Sequence, residues 1–375
     1  MGELNLNFQI ILDLIGLVQG VVLGVLLLIL NKRNYRSSFF LGFFLLCFSL
    51  ELAGWISVSP QVSERFPQLF LMPFVFSWLL FPLFFLYTQQ VSLLNYGKPT
   101  YWILYPGIVS FVLQSGIFWL PYETKQVIVQ SEWYVLCFWV FGLFYSWFIG
   151  IWNLRLLYRH QVEVQNTYSF IEFKELRWAR IFLIYLLTTS ILAQILKYGP
   201  SSKVDFKIIF SVMDLIAIYW ISYLGIMQRN VRALINIDLP EVNSPPNQSV
   251  AQKIPTEMAL EGLEGLMKQI DAYMISSESY INPDLTVVNL AEALKVHPKR
   301  ISTAINMLSK QNFNVYVNGF RIEKAKRLLT TEKTENLSIE GIGNEVGFKS
   351  KSAFYTAFKK LTGATPTQYK EMVEV

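Results

Sequence analysis

Two short stretches of the chain carry side chains that suit a polyanionic partner. In the first, Lys299, Arg300, Ser302, Thr303 and Asn306 recur at helical spacing opposite Ile301 and Ile305. In the second, Lys351, Ser352, Tyr355, Thr356 and Lys359 lie opposite Phe354, Phe358 and Leu361. Cationic groups interleaved with hydroxyls, on helix faces whose other side is apolar, fit phosphate and base contacts in a DNA groove. They do not fit bond-making chemistry. His160 and His297 are the only histidines, and the two cysteines, Cys47 and Cys137, both sit in apolar runs that predict small buried side chains. With no imidazole, thiolate and carboxylate cluster at ligand spacing, neither a metal site, a disulfide framework nor a cofactor is expected. A Gly-rich phosphate loop, a Ser, His and acid set, and kinase or cyclase motifs are also missing, so the chain does not read as an enzyme.

The elements that must position these residues follow from spacing. Before the second stretch, Ile339, Ile342 and Val346 share one helical face, Gly347 suits the left-handed residue that ends a helix, and Ser350 suits the cap of the next. That is helix, turn, helix. The pattern occurs once before, from Leu285 to Ser302: Leu290, Ala291 and Leu294 form the buried face, Val296 fills the turn, and Pro298 opens the second helix where its missing N–H costs nothing. Between the copies, Phe313 to Thr330 reads as one helix. Its apolar positions are Tyr316, Val317, Phe320, Ala325, Leu328 and Leu329, with Arg321, Lys324, Lys326 and Arg327 outside. A stiff connector of this length lets both second helices enter successive major-groove segments of one duplex.

The segment Leu285 to Tyr369 closely resembles the DNA-binding domain of AraC-type (AraC/XylS family) transcription regulators. The match is carried by Asn312-Phe313, Tyr316, Asn318, Arg321, Ala325, Leu328-Leu329, Ser338-Ile339, Val346-Gly347-Phe348, Ser350, Ser352, Phe354, Phe358-Lys359, Gly363, Pro366 and Tyr369. It covers about 85 residues and is specific, because the spacing agrees across both copies. The resemblance implies base contacts from Lys299, Ser302 and Thr303 in the first reading helix and from Lys351, Ser352 and Thr356 in the second. Arg300, Lys349 and Lys359 are better placed for phosphates, which fix register without reading sequence. His297, in the turn, reads as phosphate-facing or solvated. One departure stands out: Gly341 and Gly343 replace a helix former and an alanine, at ~1 kcal/mol each in a helix interior. That predicts a second reader only marginally folded without DNA.

The rest of the chain is of another kind. Of 375 residues 53% are hydrophobic and 16% charged, against about 25% charged in ordinary soluble proteins. The deficit lies before Met227. Long apolar runs at about Phe8–Leu30, Ser38–Val58, Gln68–Thr88, Tyr101–Leu120, Trp133–Leu154, Ile181–Lys197 and Phe206–Met227 predict seven membrane spans. The first is not a cleaved signal peptide, since Met1 to Asn7 hold no base and no small-x-small site follows. Eleven Lys and Arg fall in the segments predicted to be inside and four in those outside, which puts the N-terminus out and the C-terminus in the cytoplasm of a multi-pass inner-membrane protein. Combined with the C-terminal segment, this looks like the membrane-anchored AraC-type regulators of Bacteroidetes-like bacteria.

Three acids, Asp13, Glu51 and Asp214, fall within these runs. An ionised group at the bilayer centre costs at least ~2.5 kcal/mol, so each should face the bundle interior. Asp214, mid-span, reads either as a ligand or proton site with Gln114, Gln194 or Tyr219 nearby, or as a polar packing group. Asp13 and Glu51, nearer their helix ends, read as packing. Trp55, Trp78, Trp102, Trp119, Trp133 and Trp139 read as interface belts before a ligand pocket. In the longest inner loop, Tyr168 to Leu176 predicts either a short surface helix or an extension of the flanking spans.

The expected organisation is therefore all-α: a seven-helix transmembrane sensor domain at 1–227, a basic helix end and Pro-containing linker at 228–256, an amphipathic helix at 257–281, and the double helix-turn-helix domain at 282–375. The helix at 257–281, with Leu260, Leu263, Met267, Ile270 and Met274 on one face, packs either on the following domain or on its copy in a homodimer. Between Asp284 and Lys370 lie 14 basic and 7 acidic residues, so this segment carries +7 and the rest of the chain −2. The basic excess is where a DNA partner is expected. The leading function is a one-component membrane-embedded regulator of promoter DNA, responding to a small-molecule or membrane signal. The alternative is a transporter or channel with a regulatory tail, against which the runs show no internal repeat.

Overall fold

The computed structural model describes residues 8–29, 36–94, 100–172, 174–198, 206–227, 257–330 and 337–373. Among them every regular element is helical, and extended pairing is limited to one antiparallel bridge between Tyr168 and Thr286. The all-α class expected from periodicity holds. The chain divides into two compact units, Met1–Arg159 with Leu176–Asp238, and His160–Glu175 with Leu239–Val375. The linker expected over 228–256 lies outside the described residues.

The first unit contains α1 (Phe8–Ile29), α2 (Arg36–Ser57), α3 (Leu80–Val91), α4 (Tyr105–Phe118), α5 (Tyr122–Gln130), α6 (Phe141–Thr167, running on into the second unit), α7 (Arg177–Tyr198) and α8 (Phe206–Met227). Among the described residues five helical stretches are long and apolar enough to cross a membrane: Phe8–Ile29, Ser38–Ser57, Tyr101–Phe118, Glu132–Thr167 and Ile208–Gly225. By length alone α7, with 22 residues, reaches the same class. Seven continuous spanning helices are not reproduced. The third expected span, 68–88, is the one that breaks: it opens with a 3₁₀ turn at Pro67–Leu69, takes a left-handed residue at Leu71, and becomes helical only at Leu80. Pro67 and Pro73 explain this, since each lacks a donor and restricts the residue before it.

Side chains from neighbouring elements satisfy the carbonyls this break leaves bare. The Lys125 ammonium donates to the carbonyls of Phe70 at 2.9 Å and Gln68 at 3.4 Å, Gln114 Nε2 donates to that of Val75 at 3.1 Å, and the Ser146 hydroxyl donates to that of Ser77. Non-helical backbone survives in an apolar setting only with such partners. Gln114 is therefore committed here and not to Asp214. The helices themselves meet through small residues and aromatics. A Cβ at Gly20 would fall 2.5 Å from that of Ser49, so α1 and α2 approach closely. Phe44, Phe84 and Phe182, from α2, α3 and α7, have centroids 5.2 to 5.9 Å apart.

The acids differ from expectation. Asp214 accepts a hydrogen bond from the Tyr185 hydroxyl at 3.3 Å, Asp13 is buried and bonded to Gln9 and Ser211, and the pairs Glu51 with Asp214 and Asp214 with Asp13 lie near enough to interact electrostatically. Asp13 and Glu51 thus join Asp214, where the sequence placed it alone. Tyr219 is exposed, and the side chain of Gln194 lies outside the described residues. Cys47 is buried as expected, but Cys137 is exposed. Of the six tryptophans read as belts, Trp55, Trp102, Trp119 and Trp133 are exposed, while Trp78 and Trp139 are half-buried, Trp78 against Tyr145 and Trp139 against Trp55.

The second unit holds α9 (Glu257–Ser277), α10 (Val287–Leu294), α11 (Pro298–Ala304), α12 (Phe313–Leu329), α13 (Ile339–Glu345), α14 (Lys351–Thr362) and α15 (Pro366–Val373). Its first core joins Leu263, Leu266, Ile270 and Met274 of α9 to Leu290, Ile301, Ile305, Phe313 and Val317. Each such side chain contributes ~1.5–3 kcal/mol when fully buried. Of the two packings open to α9, the one on the following domain is observed. The second core consists of Ile322, Ala325 and Leu329 of α12 with Ile342, Val346, Phe348, Phe354 and Phe358. A single helix, α12, thus supplies one half of its length to each core. The stretch 160–175 belongs to this unit too: α6 continues to Thr167, and the surface helix expected over 168–176 does not form. Instead Tyr168 pairs with Thr286 and the Ser169 amide donates to the Leu285 carbonyl at 3.1 Å.

Candidate nucleic-acid interface

The first reader is fixed by three local devices. Thr286 and Asn289 form a reciprocal capping box on α10, Lys295 takes the left-handed conformation that ends it, and His297 caps α11 by accepting from the Lys299 amide at 3.2 Å through Nδ1. His297 therefore has a capping role that its position in the turn did not reveal. Pro298 opens α11 as expected, and Ile301, Ala304 and Ile305 are buried. The opposite face carries Lys299, Arg300 and Asn306, all exposed, with Ser302 and Thr303 half-buried. Thr303 turns its hydroxyl back to the Lys299 carbonyl at 2.8 Å.

The second reader follows the same plan with different residues. Ser338 caps α13 through the Gly341 amide, and Ser350 caps α14 by accepting from the Ala353 amide at 3.2 Å. Gly347 between them has φ +98°. Phe354 and Phe358 are fully buried, but Leu361 is 38% exposed and so is not part of the seam. Lys351, Ser352, Thr356 and Lys359 are exposed on the outer face. Lys349 is exposed as well, its ammonium 2.5 Å from Asp284 Oδ1 and over the Phe170 ring. The nine residues expected at DNA all lie on α11, on α14 or just before it, and none is fully buried.

Two residues behave unlike their sequence pattern. Arg321, expected outside, is only 1% exposed. Its Nε donates to the Tyr280 carbonyl at 2.7 Å and its Nη2 to the Asn282 carbonyl at 2.9 Å and the Ser169 hydroxyl at 3.2 Å; Nη1 reaches Asn318 Oδ1 at 3.4 Å and the guanidinium lies over Phe348. Burial lowers its pKa to about 10, so it stays charged at neutral pH. Gly343, read as a cost to α13, is where α13 crosses α14: a Cβ there would meet the Phe354 ring at 2.8 Å. The glycine permits the crossing. Gly343→Ala is therefore expected to destabilise the second reader by ~1–3 kcal/mol through overpacking, and Gly341→Ala to change it by less than ~1 kcal/mol. Hydrogen exchange across 338–362 checks the order; equal effects would restore the view that both are only helix costs.

Comparison with known proteins addresses this C-terminal segment. A protein-family model described as a helix-turn-helix domain matches residues 290–372. "Histidine kinase P4" of Formosa agariphila is 28% identical over 31% of this chain and 8% of its own length. The "Uncharacterized HTH-type transcriptional regulator YobQ" of Bacillus subtilis is 28% identical over 28% of this chain and 44% of its own length. The chain thus spans less than half the length of these relatives. Among solved structures, the C-terminal domain of AraT, a response regulator from Geobacillus stearothermophilus, is 33% identical over 28% of this chain and 83% of that one, with a TM-score of 0.25.

Proposed function

We propose that this chain, whose residues 290–372 form an AraC-type helix-turn-helix domain, is a one-component transcription regulator held in a membrane by its N-terminal helices. The observation that carries the reading is the pair of capped reading helices with basic, hydroxyl-bearing outer faces. Lys299, Ser302 and Thr303 read bases in the first half of an extended site, and Lys351, Ser352 and Thr356 in the second. Arg300, Lys349 and Lys359 hold phosphates. Five apolar helices of spanning length support the membrane anchor. The excess of Lys and Arg in the inner segments supports a cytoplasmic C-terminus. Residues 160–175, the end of α6 and the link to α7 in one of the basic segments read as inner, fall in the same compact unit as the DNA-binding domain, which agrees with that side. Asp214, bonded to Tyr185, is the group we assign to sensing a proton or a polar ligand.

The division into readers and clamps is tested on duplexes selected from a random pool. Lys351→Ala with Thr356→Ala is expected to relax sequence preference, losing about 1–3 kcal/mol of discrimination at the contacted positions. Lys359→Ala should weaken binding to all sequences alike and lower the salt dependence by about one counterion. Equal losses on selected and random duplex by both variants would sink the division.

A further inference from the structure

The stretch 165–172, the last residues of α6 and the start of the link to α7, touches both reading helices. At its start, the Asn166 carbonyl accepts from the Ser302 hydroxyl and Asn166 Oδ1 accepts from Asn306 Nδ2, each at 3.3 Å, while Gln165 Oε1 accepts from Asn312 Nδ2 at 3.2 Å. Its middle is anchored. Tyr168 pairs with Thr286, and buried Ser169 accepts from Asn314 through its carbonyl at 2.6 Å and from Arg321 through its hydroxyl at 3.2 Å. At its end, the Glu172 carboxylate accepts from the Ser350 hydroxyl at 2.6 Å and the Ser352 hydroxyl at 3.3 Å, and the Phe170 ring lies under the Lys349 ammonium at 5.3 Å. No local pattern marks these contacts, because the hydrogen-bonded partners lie 136 to 180 residues apart.

Glu172 sits where a phosphate would sit. A carboxylate over the first turn of a 12-residue helix, held by the cap hydroxyl and the next hydroxyl, uses the same donors and the same positive helix end that attract a DNA phosphate. Its hydrogen bonds are charge-assisted, the stronger kind. Ser302 and Ser352 cannot give their protons to a base while giving them to this stretch. We infer that residues 165–172 are an intramolecular ligand of the DNA-reading surface, competing with DNA at Ser302, Ser350 and Ser352. The inference rests on the proposed function, and it adds how that function is restrained. Ser169 anchors the stretch through buried contacts; Asn166 and Glu172 are the ends that must release. A signal reaching α6 or α7 then acts by withdrawing these two side chains from the readers, which makes the flanking helices the output arm of the sensor.

The test uses the full chain in lipid nanodiscs with a fluorescent 40-base-pair random-sequence duplex pool. Asn166→Ala with Glu172→Ala is expected to bind the pool about tenfold tighter than the native chain. Glu172→Asp, which keeps the charge and shortens the reach, should also bind tighter, and this separates the contact from a bulk charge effect. Misfolding does not produce a gain in affinity. In a Cys47→Ala, Cys137→Ala background, a Glu172→Cys, Ser352→Cys chain should be crosslinked in isolated membranes by a short bis-maleimide with a reducible spacer, bind no duplex while crosslinked, and recover binding on reduction. Equal affinity of the native chain and both Glu172 variants, or failure of the cysteine pair to crosslink, overturns the inference while leaving the DNA-binding reading in place. If no form binds duplex at all, that reading falls first and takes the inference with it.

Discussion

Arg321→Met is expected to lower the stability of the DNA-binding unit by about 3–5 kcal/mol. The side chain is almost fully buried and donates to the carbonyls of Tyr280 and Asn282 and to the Ser169 hydroxyl; the Asn282 carbonyl also accepts from the Leu285 amide at 3.2 Å, so the loss falls chiefly on Tyr280 and Ser169. A stranded buried polar group costs ~1–3 kcal/mol, and the lost packing and the lost contact with Phe348 add to that. Arg321→Lys is not a rescue, because an ammonium cannot reproduce the fork that reaches both carbonyls. Hydrogen exchange of the full chain in nanodiscs should show amides of 279–329 exchanging at least about a hundredfold faster. Unchanged protection there would mean that the guanidinium is a passenger in this core.

Gly347→Ala should have an effect of similar size, confined to the second reader. Two independent costs meet at this position. The backbone is left-handed, at ~1–2 kcal/mol for a residue with a Cβ, and that Cβ would stand 2.3 Å from the Ile281 carbonyl oxygen. The clashing atom is backbone, so no rotamer relieves it. Gly363 provides the contrast: it is also left-handed, at φ +83°, but nothing lies within 4 Å of its virtual Cβ. Gly363→Ala should therefore lose only the backbone cost, about 1–2 kcal/mol, and Gly347→Ala well over ~4 kcal/mol, measured as exchange across 338–373. Equal losses would show that the Ile281 contact is soft.

Gly347 and Arg321 converge on one place. The turn Tyr280–Asn282 receives Arg321 at the Tyr280 and Asn282 carbonyls and the close approach of Gly347 at Ile281, and Tyr280 and Ile281 belong to the first core while Phe348, next to Gly347, belongs to the second. The caps, the turns and the outward faces of both readers were legible because each is a local matter: Ser350, Pro298 and Gly347 signal themselves within a few residues. Arg321 was not, since a charged residue on an amphipathic helix reads as solvated and its acceptors come from a 3₁₀ turn about forty residues away. It stood among the residues shared with the AraC-type pattern, away from any DNA contact, and that was the available signal. Gly343 was read as a local cost because its reason, the Phe354 ring, lies across a helix crossing.

The same distinction runs through the membrane-like unit. Length and hydropathy located the apolar helices, yet the third run carries Pro67 and Pro73, and those two residues outweigh an otherwise span-like composition. The side chains that repair the break, Lys125, Gln114 and Ser146, come from later elements and carry no local mark of that task. Convergence of Asp13, Glu51 and Asp214 was likewise hidden, because it depends on how α1, α2 and α8 pack.

The central claim is that a membrane-resident chain binds promoter DNA. Chromatin immunoprecipitation of the tagged full-length protein, paired with membrane fractionation of the same cells, tests it most directly. The account predicts sharp enrichment at a small set of promoter-proximal sites by a protein found in the membrane fraction. Absence of any enriched site across growth conditions would contradict it.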